Sequence, residues 1–216
     1  MAGISGVLYW AAILSASGYL VMTTHPQGML RSLLKILPTA FFAIAAYLGQ
    51  ASPYLTVALV LSLLGDLALS REGRAAFLYG LCAFALAHVV FIQLFFDLGA
   101  TFAWDAVVRA PVLAIAIVVL AGSTEIWLTP FTGAMRWPVR VYVGLIAVMA
   151  LTALTLPQTT AWITACAFCF MASDGLLSLV LFRIPKGDTA YVLAARALWI
   201  LYIAALALIF WGSQMV

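Results

Sequence analysis

The chain has 216 residues, 67% of them hydrophobic and 8% charged, with ten basic and seven acidic side chains giving a net charge of +3. A soluble domain is about 25% charged and at most about half apolar, so this composition excludes a water-soluble fold, a disordered chain and a secreted disulfide scaffold. A mean hydropathy of +1.18 agrees.

At about 20 residues per crossing the length accommodates about eight membrane-spanning helices with short loops. The apolar runs, such as Val107 to Ala121, lack the alternating polarity of barrel strands. Breakers and polar clusters divide the chain into spans 5–23, 31–49, 54–70, 75–96, 105–122, 138–156, 159–182 and 189–212. The predicted fold is therefore an all-α membrane bundle forming one polytopic domain. The first span follows Met1 without a basic region and reads as a retained helix rather than a cleaved signal. The fifth span has the weakest boundary, because Arg109 and Pro111 lie near its start.

Arg31, Lys35, Arg71, Arg74, Arg136, Arg140, Arg183 and Lys186 all lie in or beside the loops after spans 1, 3, 5 and 7. The opposite loops hold essentially Arg109. By the positive-inside rule the basic loops face the cytoplasm and both termini face outward, in the cell membrane, the inner one if the source is bacterial. Span 3 contains Gly65-Asp66 with Ser70, and span 7 contains Ser173-Asp174 with Ser178. Four spans separate the two, a pattern that fits a parallel four-plus-four repeat.

Charged groups inside a bilayer cost about 3 kcal/mol at a helix centre on insertion scales, so Asp66, His88, Asp174 and Arg196 each require a partner, a polar interior or neutralisation. Two readings compete: fastening of helices through ion pairs and hydrogen bonds, or a site that water and substrate enter. Lys35, at the predicted cytoplasmic entrance of span 2, is expected at the mouth of such a site as a point charge for a phosphate. Asp66, His88 and Asp174 are expected to converge on one cavity. Phe77, Gly80, Phe84, His88, Phe91 and Phe95 share a face of span 4. They read either as packing or as the lining of an acyl channel.

Other chemistry finds no footing in the sequence. There is no G-x-S-x-G elbow, no metal-ligand spacing around His25 or His88, no phosphate-binding glycine loop and no nucleic-acid-binding stripe. Cys82, Cys166 and Cys169 fall in apolar segments and read as small packing residues. No metal or organic cofactor is expected, and the expected partners are the bilayer and a lipid substrate. The residues alone leave three functions open: acid–base hydrolysis by the aspartates, proton-coupled transport of a small molecule or lipid, or lipid binding without catalysis.

Several motifs narrow this choice: Lys35-x-x-Pro38, Leu64-Gly65-Asp66, Phe77-x-x-Gly80-x-x-x-Phe84-x-x-x-His88, Pro138-Val139-x-x-Tyr142, Ser173-Asp174 and Tyr191-x-x-Ala194. With them the chain resembles the YhhN-like family of small eight-helix membrane proteins, whose characterised members are lysoplasmalogenases. The resemblance implies hydrolysis of the vinyl ether of a lysoplasmalogen to a fatty aldehyde and a glycerophospho-alcohol. Asp66, Asp174 and His88 would be catalytic, and Lys35, Tyr142, Tyr191, Arg196, Phe84 and Ser173 would contact substrate. One departure stands out. Ala195 occupies a position where the family often has Gln, so a polar contact is either missing or supplied by Arg196. Vinyl ether cleavage requires a neutral acid to protonate the β-carbon and an anion to stabilise the resulting oxocarbenium ion or activate water, a division of labour that paired carboxyls perform in glycosidases.

Overall fold

The computed structural model describes residues 3–26 and 28–214, leaving Gln27 of the first predicted connector outside them. Among the described residues the chain forms nine α-helices: α1 (Ile4–Met22), α2 (Met29–Leu48), α3 (Pro53–Leu69), α4 (Arg74–Asp97), a short α5 (Ala106–Arg109), α6 (Pro111–Trp127), α7 (Arg136–Ala153), α8 (Ala161–Phe182) and α9 (Thr189–Gly212). Seven helical segments are long and apolar enough to cross a membrane, and α3 is a shorter apolar helix of 17 residues. In lipid every backbone polar group needs an internal partner, and a helix supplies one for each.

The predicted spans match these helices to within a few residues, with one informative exception. The fifth span starts at Pro111 rather than 105, because Ala110 leaves the helical region (φ −146°, ψ 65°) just before the proline. Proline fits the first helical position, where its missing N–H is not needed. The segment before it forms α5, whose Arg109 donates 2.7 Å to the Thr155 carbonyl and ties two connectors together.

Helix α9 occupies the centre. Its buried face, from Ala194 to Gly212, touches α1, α2, α3, α4 and α8 through Trp199, Tyr202 and Phe210. Trp199 Nε1 donates 2.9 Å to the Ala16 carbonyl, closing the first helix onto the last. Helix α6 lies at the periphery, packed on α7, and buries only Ala114, Ile117 and Thr124. Its stand-off from α4 and α8 leaves the apolar cavity described below.

The connectors gather at two ends. Residues of the α1–α2, α3–α4 and α8–α9 connectors line one cleft. Arg183 stacks at 3.7 Å over Phe131 of the α6–α7 connector, placing that loop at the same end. The basic loops therefore cluster at one end of the bundle, with Arg109 at the other.

The α3–α4 hairpin is held by two reciprocal insertions. A Cβ added to Gly65 would lie 2.5 Å from the Phe84 ring, and one added to Gly80 would lie 2.7 Å from Leu69. The aromatic stripe of α4 is thus mainly packing: Phe84, Phe91 and Phe95 are core residues, and Phe77 reaches the cavity. Overpacking of a close helix contact costs about 1–3 kcal/mol. Gly65→Ala is accordingly expected to lower the melting temperature of the purified protein in detergent, and unchanged melting would show that Phe84 relaxes freely.

Candidate active site

Two polar clusters lie within the apolar bundle. Near the C-terminal end of α3, Asp66 is buried, and its Oδ2 accepts hydrogen bonds from Thr39 Oγ1 at 2.7 Å and Tyr202 Oη at 2.6 Å. The Lys35 ammonium lies 3.9 Å from Oδ1. Helices α2, α3 and α9 thus each contribute to one carboxyl. Lys35 lines neither cavity, so the expected lysine at a pocket mouth is instead the partner of Asp66.

The second cluster joins α4, α7 and α8. Asp174 Oδ2 accepts from Tyr142 Oη at 3.2 Å and faces His88 Nε2 at 3.6 Å. His88 Nδ1 lies 2.6 Å from the Phe84 carbonyl. A carbonyl can only accept, so Nδ1 carries a hydrogen, and the free Nε2 is the atom turned to Asp174. That nitrogen is buried without a hydrogen-bond partner among the described residues. The pair is arranged to share one further proton, on either the carboxyl or the imidazole.

An apolar cavity of about 120 Å³ lies between α4, α6, α7 and α8. Its lining includes Phe77, Leu81, Ile117, Leu128, Ile146, Met171 and Phe182, with Tyr142, Asp174, Thr124 and Ser178 among its polar members. Asp174 is the one charged side chain among the lining residues. Asp66 and His88 do not line this cavity, so the expected convergence of all three on a single cavity is corrected. The reason is a layer of Phe84, Phe170 and Tyr202. Tyr202 bonds Asp66 while its ring packs 5.9 Å from Phe84 and 6.0 Å from Phe170, and Phe170 packs 5.6 Å from His88.

The remaining candidates divide. Tyr142 is at the site. Ser173 donates 2.9 Å to the Leu198 carbonyl and fastens α8 to α9. Phe84 fills the space above Gly65. Tyr191 lines a separate polar cleft of about 470 Å³ at the basic end. Arg196 is exposed and lines neither cavity, so it cannot replace a buried polar group at Ala195, which is itself buried. An exposed mid-helix arginine runs its aliphatic stem along the bundle toward the interface.

Sequence reasoning missed Thr39 and Tyr202. Hydroxyls in the middle of apolar spans need partners in lipid, and Thr39 directly follows the Lys35-x-x-Pro38 motif; that was the available signal.

A helical bundle of membrane-spanning length that encloses two carboxyls, an imidazole and an ammonium belongs to the polytopic membrane proteins with a polar interior. More specifically, the chain belongs to the YhhN family, whose profile matches residues 30–213. It is similar to proteins named lysoplasmalogenase from Mycobacterium bovis and Mycobacterium tuberculosis. Each is 34% identical over 167 residues, a stretch covering 76% of this chain and 61% of the relative. The match thus spans less than two thirds of those relatives' length. No solved structure matches the chain.

Proposed function

We propose that this protein hydrolyses the vinyl ether bond of a lysoplasmalogen within the membrane, releasing a fatty aldehyde and a glycerophospho-alcohol. The observation that carries the reading is the placement of Asp174: one carboxyl, paired with Tyr142 and His88, on the wall of a largely apolar cavity. A largely apolar cavity with one carboxyl among its few polar groups suits a hydrocarbon chain joined to one reactive bond. The names of the mycobacterial relatives support the same chemistry.

In this mechanism the protonated Asp174 delivers its proton to the β-carbon of the vinyl ether, with the His88 imidazole as the adjoining proton reservoir. The double bond supplies the electron pair for the new C–H bond, leaving an oxocarbenium ion. Asp66, which accepts two O–H bonds and faces an ammonium, acts as the carboxylate that stabilises this cation and takes a proton from the attacking water. The resulting hemiacetal collapses to the alcohol and the aldehyde, consuming one water overall. The reacting bond lies at the Phe84–Phe170–Tyr202 layer between the carboxyls, so these side chains move aside when substrate enters. Positioned acid–base groups typically contribute about 10²–10⁴-fold each.

The basic end faces the cytoplasm in this reading, by the positive-inside rule. The decisive test incubates purified protein with a lysoplasmalogen and measures free fatty aldehyde, with the ester-linked lyso analogue as control. Aldehyde from the vinyl ether alone is the expected result. Well-folded protein that releases none would overturn the proposal.

A further inference from the structure

The polar cleft at the basic end is separate from the apolar cavity and has its own chemistry. It encloses about 470 Å³, within the roughly 300–1,000 Å³ typical of small-molecule sites. Arg31 and Lys186 line it together with Glu72 and Tyr191, so two cations and one anion share one concave wall. Among the described residues neither Lys186 nor Glu72 has an ion-pair partner within 4.0 Å.

Arg31 is pre-positioned. Its Nε donates 3.1 Å to the Met22 carbonyl and its Nη2 donates 3.0 Å to the Thr23 carbonyl, while the guanidinium lies 5.7 Å from the centre of the Tyr19 ring. A guanidinium held on two carbonyls keeps its Nη1 face for an anion and loses little entropy on binding one. Lys35 follows Arg31 by about one helical turn, and its ammonium reaches Asp66. Arg31 therefore stands about one turn along α2 from the lysine that pairs with Asp66.

We infer that this cleft binds a zwitterionic glycerophospho head group, with the phosphate between Arg31 and Lys186 and the cationic amine at Glu72. The inference rests on the hydrolase reading for its link to a substrate, because a lysoplasmalogen carries its glycerophospho head group and its vinyl ether on one glycerol. The charge pattern itself selects the ligand class. A phosphate alone would leave Glu72 facing an anion, whereas a phosphodiester ending in an ammonium satisfies all three charges.

The test measures binding of soluble head groups to the full-length protein in detergent by titration calorimetry. The probes are glycerophosphoethanolamine and glycerol 3-phosphate, which lacks the amine. Lys186 and Glu72 are exposed, so their substitution leaves the bundle core untouched. Wild type is expected to prefer glycerophosphoethanolamine. Lys186→Ala should weaken both probes about tenfold, the typical scale of one lost charge-assisted contact. Glu72→Gln should weaken glycerophosphoethanolamine several-fold and remove the preference over glycerol 3-phosphate. Absence of saturable binding, equal affinity of wild type for both probes, or indifference to both substitutions would each overturn the inference. Aldehyde release is measured in parallel. Selective binding without aldehyde would sink the hydrolase and leave the cleft standing, and aldehyde release with no effect of either substitution on binding would do the reverse.

Discussion

Asp174→Asn is expected to lower kcat for lysoplasmalogen by about 10²-fold or more while leaving the protein folded. The asparagine keeps the size of the side chain and can still accept from Tyr142, but it has no proton to give. Among the described residues Asp174 has no cationic partner within 4.0 Å other than the imidazole of His88, so the substitution leaves no uncompensated charge behind. His88→Gln, which removes the proton reservoir but leaves the carboxyl, should cost less than Asp174→Asn. The measurement is steady-state aldehyde release, with thermal melting of each variant as the check on folding. Normal turnover by folded Asp174→Asn would remove this residue from the mechanism.

Asp66→Asn is expected to fail in two separable ways. The first is catalytic, a loss of similar size, because the developing cation loses its anion. The second is structural. Lys35, whose side chain is 14% exposed, would lose the carboxylate 3.9 Å away, and stranding one member of a buried pair costs about 3–5 kcal/mol. Replacing both members, as in Asp66→Asn with Lys35→Met, should therefore recover much of the lost melting temperature and none of the lost activity. Recovery of both together would make Asp66 a fastening residue only. This structural penalty comes from Lys35, which the sequence placed at a pocket mouth and the structure pairs with Asp66.

The two sites also differ in how they are assembled. Asp66 on α3 is held from α2 and α9, and Asp174 on α8 is held from α7 and α4. Each carboxyl thus takes one hydroxyl from the preceding long helix of its own half and one neighbour from the last helix of the other half. This exchange fits the parallel four-plus-four pattern suggested by the Asp66 and Asp174 segments. It also explains why the carboxyls approach the centre without sharing a cavity: Tyr202 of α9 turns its hydroxyl to one and its ring toward the layer that shields the other.

The sequence by itself determined the class of fold and the position of each helix, because apolar length and breakers are local properties. The position of Asp66 and Asp174 toward the C-terminal ends of α3 and α8 and the grouping of the basic loops at one end of the bundle followed from one-dimensional spacing. The start of α6 was misplaced because Val107 and Val108 extend the apolar run N-terminal to Arg109, whereas the backbone turn at Ala110 is decided by Pro111 and by the tie from Arg109 to Thr155. Which polar groups meet could not be read from spacing. Helical periodicity gives a residue's angle on its own helix, whereas the rotation of each helix against its neighbours depends on how all the side chains pack. Only that packing sent Arg196 outward, drew Lys35 to Asp66, brought Thr39 and Tyr202 to the same oxygen, and set an aromatic layer between the two carboxyls.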